Sequence, residues 1–92
     1  MIRRAALTLG DAARLPVDEI AAVVCEIPGV TECHSIRTRG LESQVYVDLH
    51  VLVAPETTVE NGHAIAHQAE DVLCRRFVQI ADVVVHVEPA AR

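Results

Sequence analysis

The chain has 92 residues, a formal net charge of −5 at pH 7 and a pI near 5.4. A chain of this length can bury one hydrophobic core, and its acidic balance argues against a nucleic-acid-binding protein, which needs a dense face of Lys and Arg. Every apolar run is shorter than the roughly 20 residues that cross a bilayer, so we expect no direct membrane insertion.

The cysteines indicate a reducing compartment. Cys25, Cys33 and Cys74 show neither the even number nor the close spacing of a secreted disulfide framework. The apolar stretch before Asp11 is also too short for a signal peptide. We therefore expect a cytoplasmic protein, with residues 1–15 as an N-terminal tether and residues 16–92 as a single domain.

The first predicted element is a helix that begins at Pro16, a residue suited to the first helical position. Pro28 and Gly29 end this helix. Cys25 is expected in the core beside its apolar face. That face recurs at i, i+3, i+4 and i+7 and consists of Ile20, Val23, Val24 and Ile27.

Two strands follow, predicted over residues 30–39 and 45–53 and joined by a turn at residues 40–43. The second strand alternates in hydropathy, which indicates one buried face and one polar face. Its buried face holds Val45, Val47, Leu49, Val51 and Val53, and its other face holds Tyr46, Asp48, His50 and Leu52.

Arginine side chains on the first strand suggest a structural ion pair. Regular alternation places four residues on one strand face: Cys33, Ser35, Arg37 and Arg39. The expected acidic partner of these arginines is Glu42 or Asp48.

A second helix is predicted from a capping box at Thr57 and Glu60 to about Phe77. Its core stripe consists of Ile65, Ala69, Val72 and Leu73, and a neighbouring face carries His63, His67, Glu70 and Cys74.

The last predicted strand covers residues 79–87, and Pro89 is expected to end its ladder. Val83, Val85 and Val87 point to one side of it, and Val84, His86 and Glu88 point to the other.

This order of elements predicts an α+β domain with two layers, an αββαβ unit in which two helices cover a three-stranded sheet. The third strand follows a helical crossover and can lie parallel to one of the first two strands. The sheet is therefore expected to be mixed.

Five histidines are a high number for so short a chain, and most of them stand on predicted strands or helices beside carboxylates. Neutral imidazole and carboxylate are ligands that Zn²⁺ prefers. His86 and Glu88, two residues apart on a strand, point the same way about 6.6 Å apart. His63 and His67 have the i, i+4 spacing of a helical metal clip, although the zinc-protease glutamate is missing between them. Any one of these histidines also fits a half-exposed, hydrogen-bonded surface position without a ligand.

Four stretches carry a more specific signal through their order and spacing. They are PGV (28–30) followed by HSIRTR (34–39), VDLHV (47–51), the segment 58–70 that contains HAIA, and VHVEP (85–89). Together they resemble the cytosolic C-terminal domain of the cation diffusion facilitator, or cation efflux, family. The resemblance extends over about residues 17–89.

This resemblance implies a ferredoxin-like, metallochaperone-like fold that binds a divalent metal, with Zn²⁺ the first expectation, and that forms a homodimer. It also implies a membrane transport domain in the same or a partner chain, and no catalytic residues. Glu88 stands where many members have Asp, and His67 has no counterpart, so His67 is expected to be an ordinary surface residue. The implied metal ligands are His34, His50, His63, His86 and Glu88.

Two hypotheses of different classes remain at this point. The first is a metal-binding, dimerising regulatory domain of a cation efflux transporter, or a free-standing soluble relative of it. The alternative is a small αβ interaction or small-molecule-sensing module with incidental histidines. An enzyme is disfavoured, because the sequence lacks a phosphate-binding glycine loop, a catalytic triad order and a CxxC pair.

Overall fold

The computed structural model describes residues 15–41 and 43–91. Its elements are α1 (Val17–Cys25), β1 (Val30–Leu41), β2 (Gln44–Val53), α2 (Val59–Arg76) and β3 (Ile80–Pro89). The predicted αββαβ order is thereby confirmed. Within the described residues, neither helix is long and apolar enough to cross a membrane.

The three strands form one mixed sheet in the order β1-β2-β3. The hairpin partners β1 and β2 run antiparallel, whereas β3 returns through α2 and pairs parallel to β2. The strand β2 is therefore central, and residues on it have neighbours from both other strands. This arrangement confirms the prediction of a mixed sheet.

The hydrophobic core lies between the two helices and one face of the sheet. Alternation along β2 buries its apolar residues, and Val53, with 4% of its surface exposed, is the most exposed of them. Leu15, the last residue of the predicted tether, is also buried in this core, and residues 1–14 of that tether lie outside the described residues. The helices contribute Ile20, Val24, Ile65, Ala69 and Leu73.

The opposite face of the sheet, which we call the open face, is covered by no element among residues 15–41 and 43–91. It carries the polar residues of β2, of which Asp48 and His50 are half-buried and Tyr46 is exposed. A residue on this face can therefore meet a ligand or a partner without displacing the core.

A β-bulge in β1 changes which residues reach the open face. His34 pairs with His50 and Arg37 with Asp48, so three steps along β1 match two along β2. Ser35, inside the bulge, has a φ of 54°. Regular alternation fails here because the extra residue rotates the rest of β1 by one position.

The prediction that Arg37 and Arg39 share a face with Cys33 is therefore wrong. Cys33 pairs with Val51 and packs against the core, while both arginines lie beyond the bulge on the open face. Arg37 and Arg39 lie 3.3 and 3.4 Å from the carboxylate of Asp48. The pairing with Asp48 is confirmed, and Glu42 lies outside the described residues.

Most predicted ends of the elements are displaced by one or two residues. Pro16 is the N-cap of α1 and not its first helical residue. Pro89 lies within β3 and pairs with Val53, and Ala90 donates its N–H to the Val53 carbonyl at 2.7 Å. A proline is compatible with this edge strand, because its nitrogen, which carries no hydrogen, can face away from the hydrogen-bonded ladder.

The N-cap of α2 is Thr58, so the prediction of a capping box at Thr57 is wrong. The Thr58 hydroxyl accepts the Asn61 N–H at 3.0 Å. The N–H of Thr57 instead donates to the Ala54 carbonyl at 2.9 Å in the preceding turn. The helix consequently begins one residue later than the sequence spacing indicated.

Thr58→Ala is expected to lower the free energy of unfolding by about 1 kcal/mol, because the Asn61 N–H loses its side-chain acceptor. Urea denaturation followed by circular dichroism measures this change. Thr57→Ala is the matched control and should change stability by less than about 0.5 kcal/mol. A larger loss from Thr57→Ala than from Thr58→Ala would contradict the assignment of the cap.

Candidate metal centre

Three histidines from three strands stand side by side on the open face. The register pairs His34 of β1 with His50 of β2, and His50 with His86 of β3. Neighbouring ring centroids lie 5.5 Å apart for His34 and His50 and 4.7 Å apart for His50 and His86, with interplanar angles of 23°. We call these three residues the histidine row. The row exists because the bulge in β1 keeps His34 level with His50.

Glu88 brings a carboxylate to the same place. It follows His86 by two residues on β3 and therefore points to the open face. One carboxylate oxygen contacts Nδ1 of His50, and the other lies 3.9 Å from Nε2 of His34. The side chains of His34, His50 and Glu88 are each between one-third and one-half exposed. A single carboxylate thus lies within reach of rings from two other strands.

The donor set of the row and Glu88 fits a divalent ion chemically. Three imidazoles and one carboxylate are ligands that Zn²⁺ accepts, at about 2.0–2.2 Å each, so two ligand nitrogens at a tetrahedral ion lie about 3.4 Å apart. Among the described residues, no three His, Cys, Asp or Glu side chains already converge to that degree. Ligation would therefore require the stacked rings to rotate toward a common point. Because the rings lie at the surface, such rotation would leave the core packing unchanged.

His63 belongs to the other layer of the domain, near the start of α2. Gly62 is buried against β3, and a Cβ there would lie 3.4 Å from the side chain of Val87. This close packing holds His63 beside the end of β3, where it lines, together with Glu88, a cavity of about 510 Å³. The structure thus brings four of the five predicted ligands together on the open face, and sets His63 across the β3 edge from Glu88.

His63 has a neighbour that sequence reasoning treated as an ordinary surface residue. The Nε2 atoms of His63 and His67 lie 3.0 Å apart, and the two rings meet edge-on with their centroids 4.4 Å apart. The i, i+4 spacing was the sequence signal for this contact. The family pattern has no counterpart of His67, so the resemblance gives no role for this contact.

The cysteines stand apart from these histidines. All three are free thiols, and Cys25 is exposed at the last residue of α1, so the prediction of a core position is wrong. Its place in the helical turn lies outside the stripe formed by Ile20 and Val24. Burial, followed by the neighbouring Cys25 thiol, raises the pKa of Cys33 to about 11. Cys33 also packs against the core, on the opposite side of the sheet from the histidine row.

The third thiol is also less acidic than usual. Cys74 is exposed on α2, and its pKa is raised by partial burial and then by the carboxylates of Asp71, Asp82 and Glu70. It is consistent with the predicted surface thiol.

Comparison with known protein families identifies the domain. The family model described as "Cation efflux protein, cytoplasmic domain" matches residues 13–90. The chain belongs to this family. The resemblance inferred from the four sequence stretches is thereby confirmed, together with the cytoplasmic side on which these domains of cation efflux proteins lie.

Curated relatives are full cation efflux proteins, and the domain matches only a part of each. Metal tolerance protein C1 of Arabidopsis thaliana is 28% identical over 87 residues, which cover 91% of this chain and 18% of the relative. The cation-efflux pump FieF of Salmonella arizonae is 31% identical over 73 residues, covering 79% of this chain and 24% of the pump. The chain therefore spans about a quarter or less of the curated relatives it matches.

Solved structures share the fold of this cation efflux domain. A variant of the MamM CTD has a TM-score of 0.75 and 26% identity, covering 80% of this chain and 92% of that one. A further MamM CTD variant, in a cadmium form, has the same TM-score and identity. The two helices and the mixed sheet are thus the fold of a known cytoplasmic domain.

Proposed function

We propose that this domain binds a divalent metal ion on its open face and thereby regulates a cation efflux transporter. The observation that carries the proposal is the alignment of His34, His50 and His86 on three adjacent strands with Glu88 beside them. Three neutral imidazoles and one carboxylate would supply four ligands, a set suited to Zn²⁺. The single negative charge of the carboxylate would offset half of the charge of the ion. The role is one of binding, without turnover.

His63 is proposed as a further ligand that approaches from α2. It shares a cavity with Glu88, so the carboxylate is the natural bridge between an ion at the histidine row and an ion at the helix. Glutamate has a longer arm than the aspartate typical of the family, which would help it span the two positions. The cadmium form of the related MamM CTD supports a divalent ion as the ligand class, with Zn²⁺ as our proposal for this chain.

Dimerisation is the second part of the proposal. The family model is itself named for a dimer, and the open face exposes apolar surface on Tyr46 and Val84 next to the polar residues. Burial of such surface against a second copy would favour association. An ion held at this face would favour one arrangement of the two copies, by a coupling free energy of typically about 1–3 kcal/mol. In a complete transporter, that change would reach a membrane transport domain in the same or a partner chain.

Diffraction from crystals grown with Zn²⁺, measured above and below the zinc absorption edge, tests the site. The expected result is an anomalous peak within ligand distance of His50, His86 and Glu88. Peaks that avoid all three residues would overturn the site and leave the family membership intact. No zinc peak at any histidine would favour the alternative, an interaction module with incidental histidines.

A further inference from the structure

The exposed face of α2 carries a second pair of imidazoles outside the histidine row. His63 and His67 are one helical turn apart, and both are exposed. Their Nε2 atoms are 3.0 Å apart, close to the roughly 3.4 Å that separates two ligand nitrogens on one tetrahedral zinc ion. The same i, i+4 spacing places both histidines of the zinc-protease helix on one ion. The pair therefore needs only a small adjustment to receive a metal.

Glu70 orients one of these rings. Its Oε1 atom lies 3.4 Å from Nδ1 of His67, on the side of the ring away from His63. A carboxylate at this position favours the tautomer with hydrogen on Nδ1, which leaves the Nε2 lone pair directed at the space between the two rings. Metal-binding histidines commonly have such a carboxylate on their other nitrogen, where it fixes the ring and raises its basicity.

Without metal, the two Nε2 atoms can share only one proton. If His67 carries hydrogen on Nδ1, its Nε2 accepts, and Nε2 of His63 must donate. A divalent ion would replace that single proton and bind both lone pairs at once. The helix backbone fixes the separation of the two residues, so little side-chain freedom is lost when the ion binds.

We propose that His63 and His67 form a second divalent-metal site, the α2 clip, with both Nε2 atoms as ligands and Glu70 as the orienting carboxylate. Water completes the coordination at this exposed position. Because both protein ligands are imidazoles, the ion is a first-row metal that accepts imidazole, such as Zn²⁺. The α2 clip does not depend on the histidine row. His67 is the residue that distinguishes the α2 clip, because His63 is also proposed as a ligand of the open-face site.

The test is a Zn²⁺ titration of the full chain carrying His50→Ala, His86→Ala and Glu88→Gln, which removes two rings of the histidine row and the carboxylate that lines the same cavity as His63. Long-range ¹H–¹⁵N correlation spectra report each imidazole nitrogen separately. The expected result is that Nε2 of His63 and Nε2 of His67 shift together, with one common dependence on zinc concentration. The absence of a shift at both nitrogens up to millimolar zinc would overturn the proposal.

Two substitutions in the same background sharpen the result. His67→Ala should abolish the zinc-dependent shift of His63, whereas Gln68→Ala, its neighbour on the same helix, should leave the shift unchanged. Glu70→Gln should weaken the apparent zinc affinity by about 10-fold or more, as loss of an orienting partner typically does. A His63 shift that survives His67→Ala would overturn the α2 clip. Signals of His34, His50 and His86 in the chain with only His67→Ala report the open face independently.

Discussion

His50→Ala is expected to weaken Zn²⁺ binding at the open face by more than about 100-fold. Loss of an orienting partner typically costs about 10–100-fold in metal affinity, and loss of a direct ligand should exceed that range. His50 is the central ring of the row, stacked between His34 and His86, and its Nδ1 contacts Glu88. Without this ring, the two remaining histidines lie on β1 and β3, which are not neighbouring strands. Competition with a chromophoric zinc chelator at pH 7 measures the change.

Asp48→Asn is the matched control for this experiment. Asp48 lies two residues from His50 on the same strand face, and its carboxylate is engaged by Arg37 and Arg39. The substitution removes one negative charge from the open face without removing a proposed ligand. Zinc affinity should therefore change only a few-fold. Equal losses from the two substitutions would show that general electrostatics, and not ligation by His50, attracts the ion.

The sequence pattern predicted the parts of the fold that depend on one regular period. The five buried residues of β2 alternate without interruption, and the structure buries all of them. The core stripe of α2 likewise follows from helical spacing, with Ile65, Ala69 and Leu73 buried. These elements were predictable because each has one period and one buried face, which leaves a single way to place it.

The bulge at Ser35 could not be predicted, because nothing in residues 33–39 departs from the composition of an ordinary strand. The residue adopts a φ of 54°, which is uncommon outside glycine, asparagine and aspartate. Its hydroxyl lies 2.9 Å from Nδ1 of His34, a local contact that becomes visible only in three dimensions. One inserted residue then decided the face of every later side chain of β1.

The candidate site likewise contains some residues that the sequence could place and others that it could not. His50, His86 and Glu88 could be placed on one face from strand alternation alone, once both strands were recognised. His34 required the register between β1 and β2, and His63 required the packing of Gly62 against β3, which no local pattern contains. The partnership of His63 with His67 was visible as a spacing, yet only the contact between their Nε2 atoms makes it specific.

Leu49→Ala is expected to lower the free energy of unfolding by about 2–5 kcal/mol, because it removes a large side chain from the middle of the core. Leu49 is fully buried on the central strand and points away from its neighbour His50. For a domain of this size, such a loss is a large share of the total stability. Urea denaturation in the absence of metal measures it. Leu49→Met, which nearly conserves volume, should cost less than about 1.5 kcal/mol and keeps the test informative if Leu49→Ala does not fold.

Zinc should restore part of this stability, since an ion that binds only the folded chain stabilises it by mass action. At a free zinc concentration of about 100 times Kd, the gain is about 2.7 kcal/mol. The gain should appear in the Leu49→Met chain. When His50→Ala is added, the open-face contribution at the same zinc concentration should fall to about 0.4 kcal/mol or less, because the core defect and the open-face site lie on opposite sides of β2. An undiminished gain in the double variant would separate zinc stabilisation from the histidine row and contradict the proposed site.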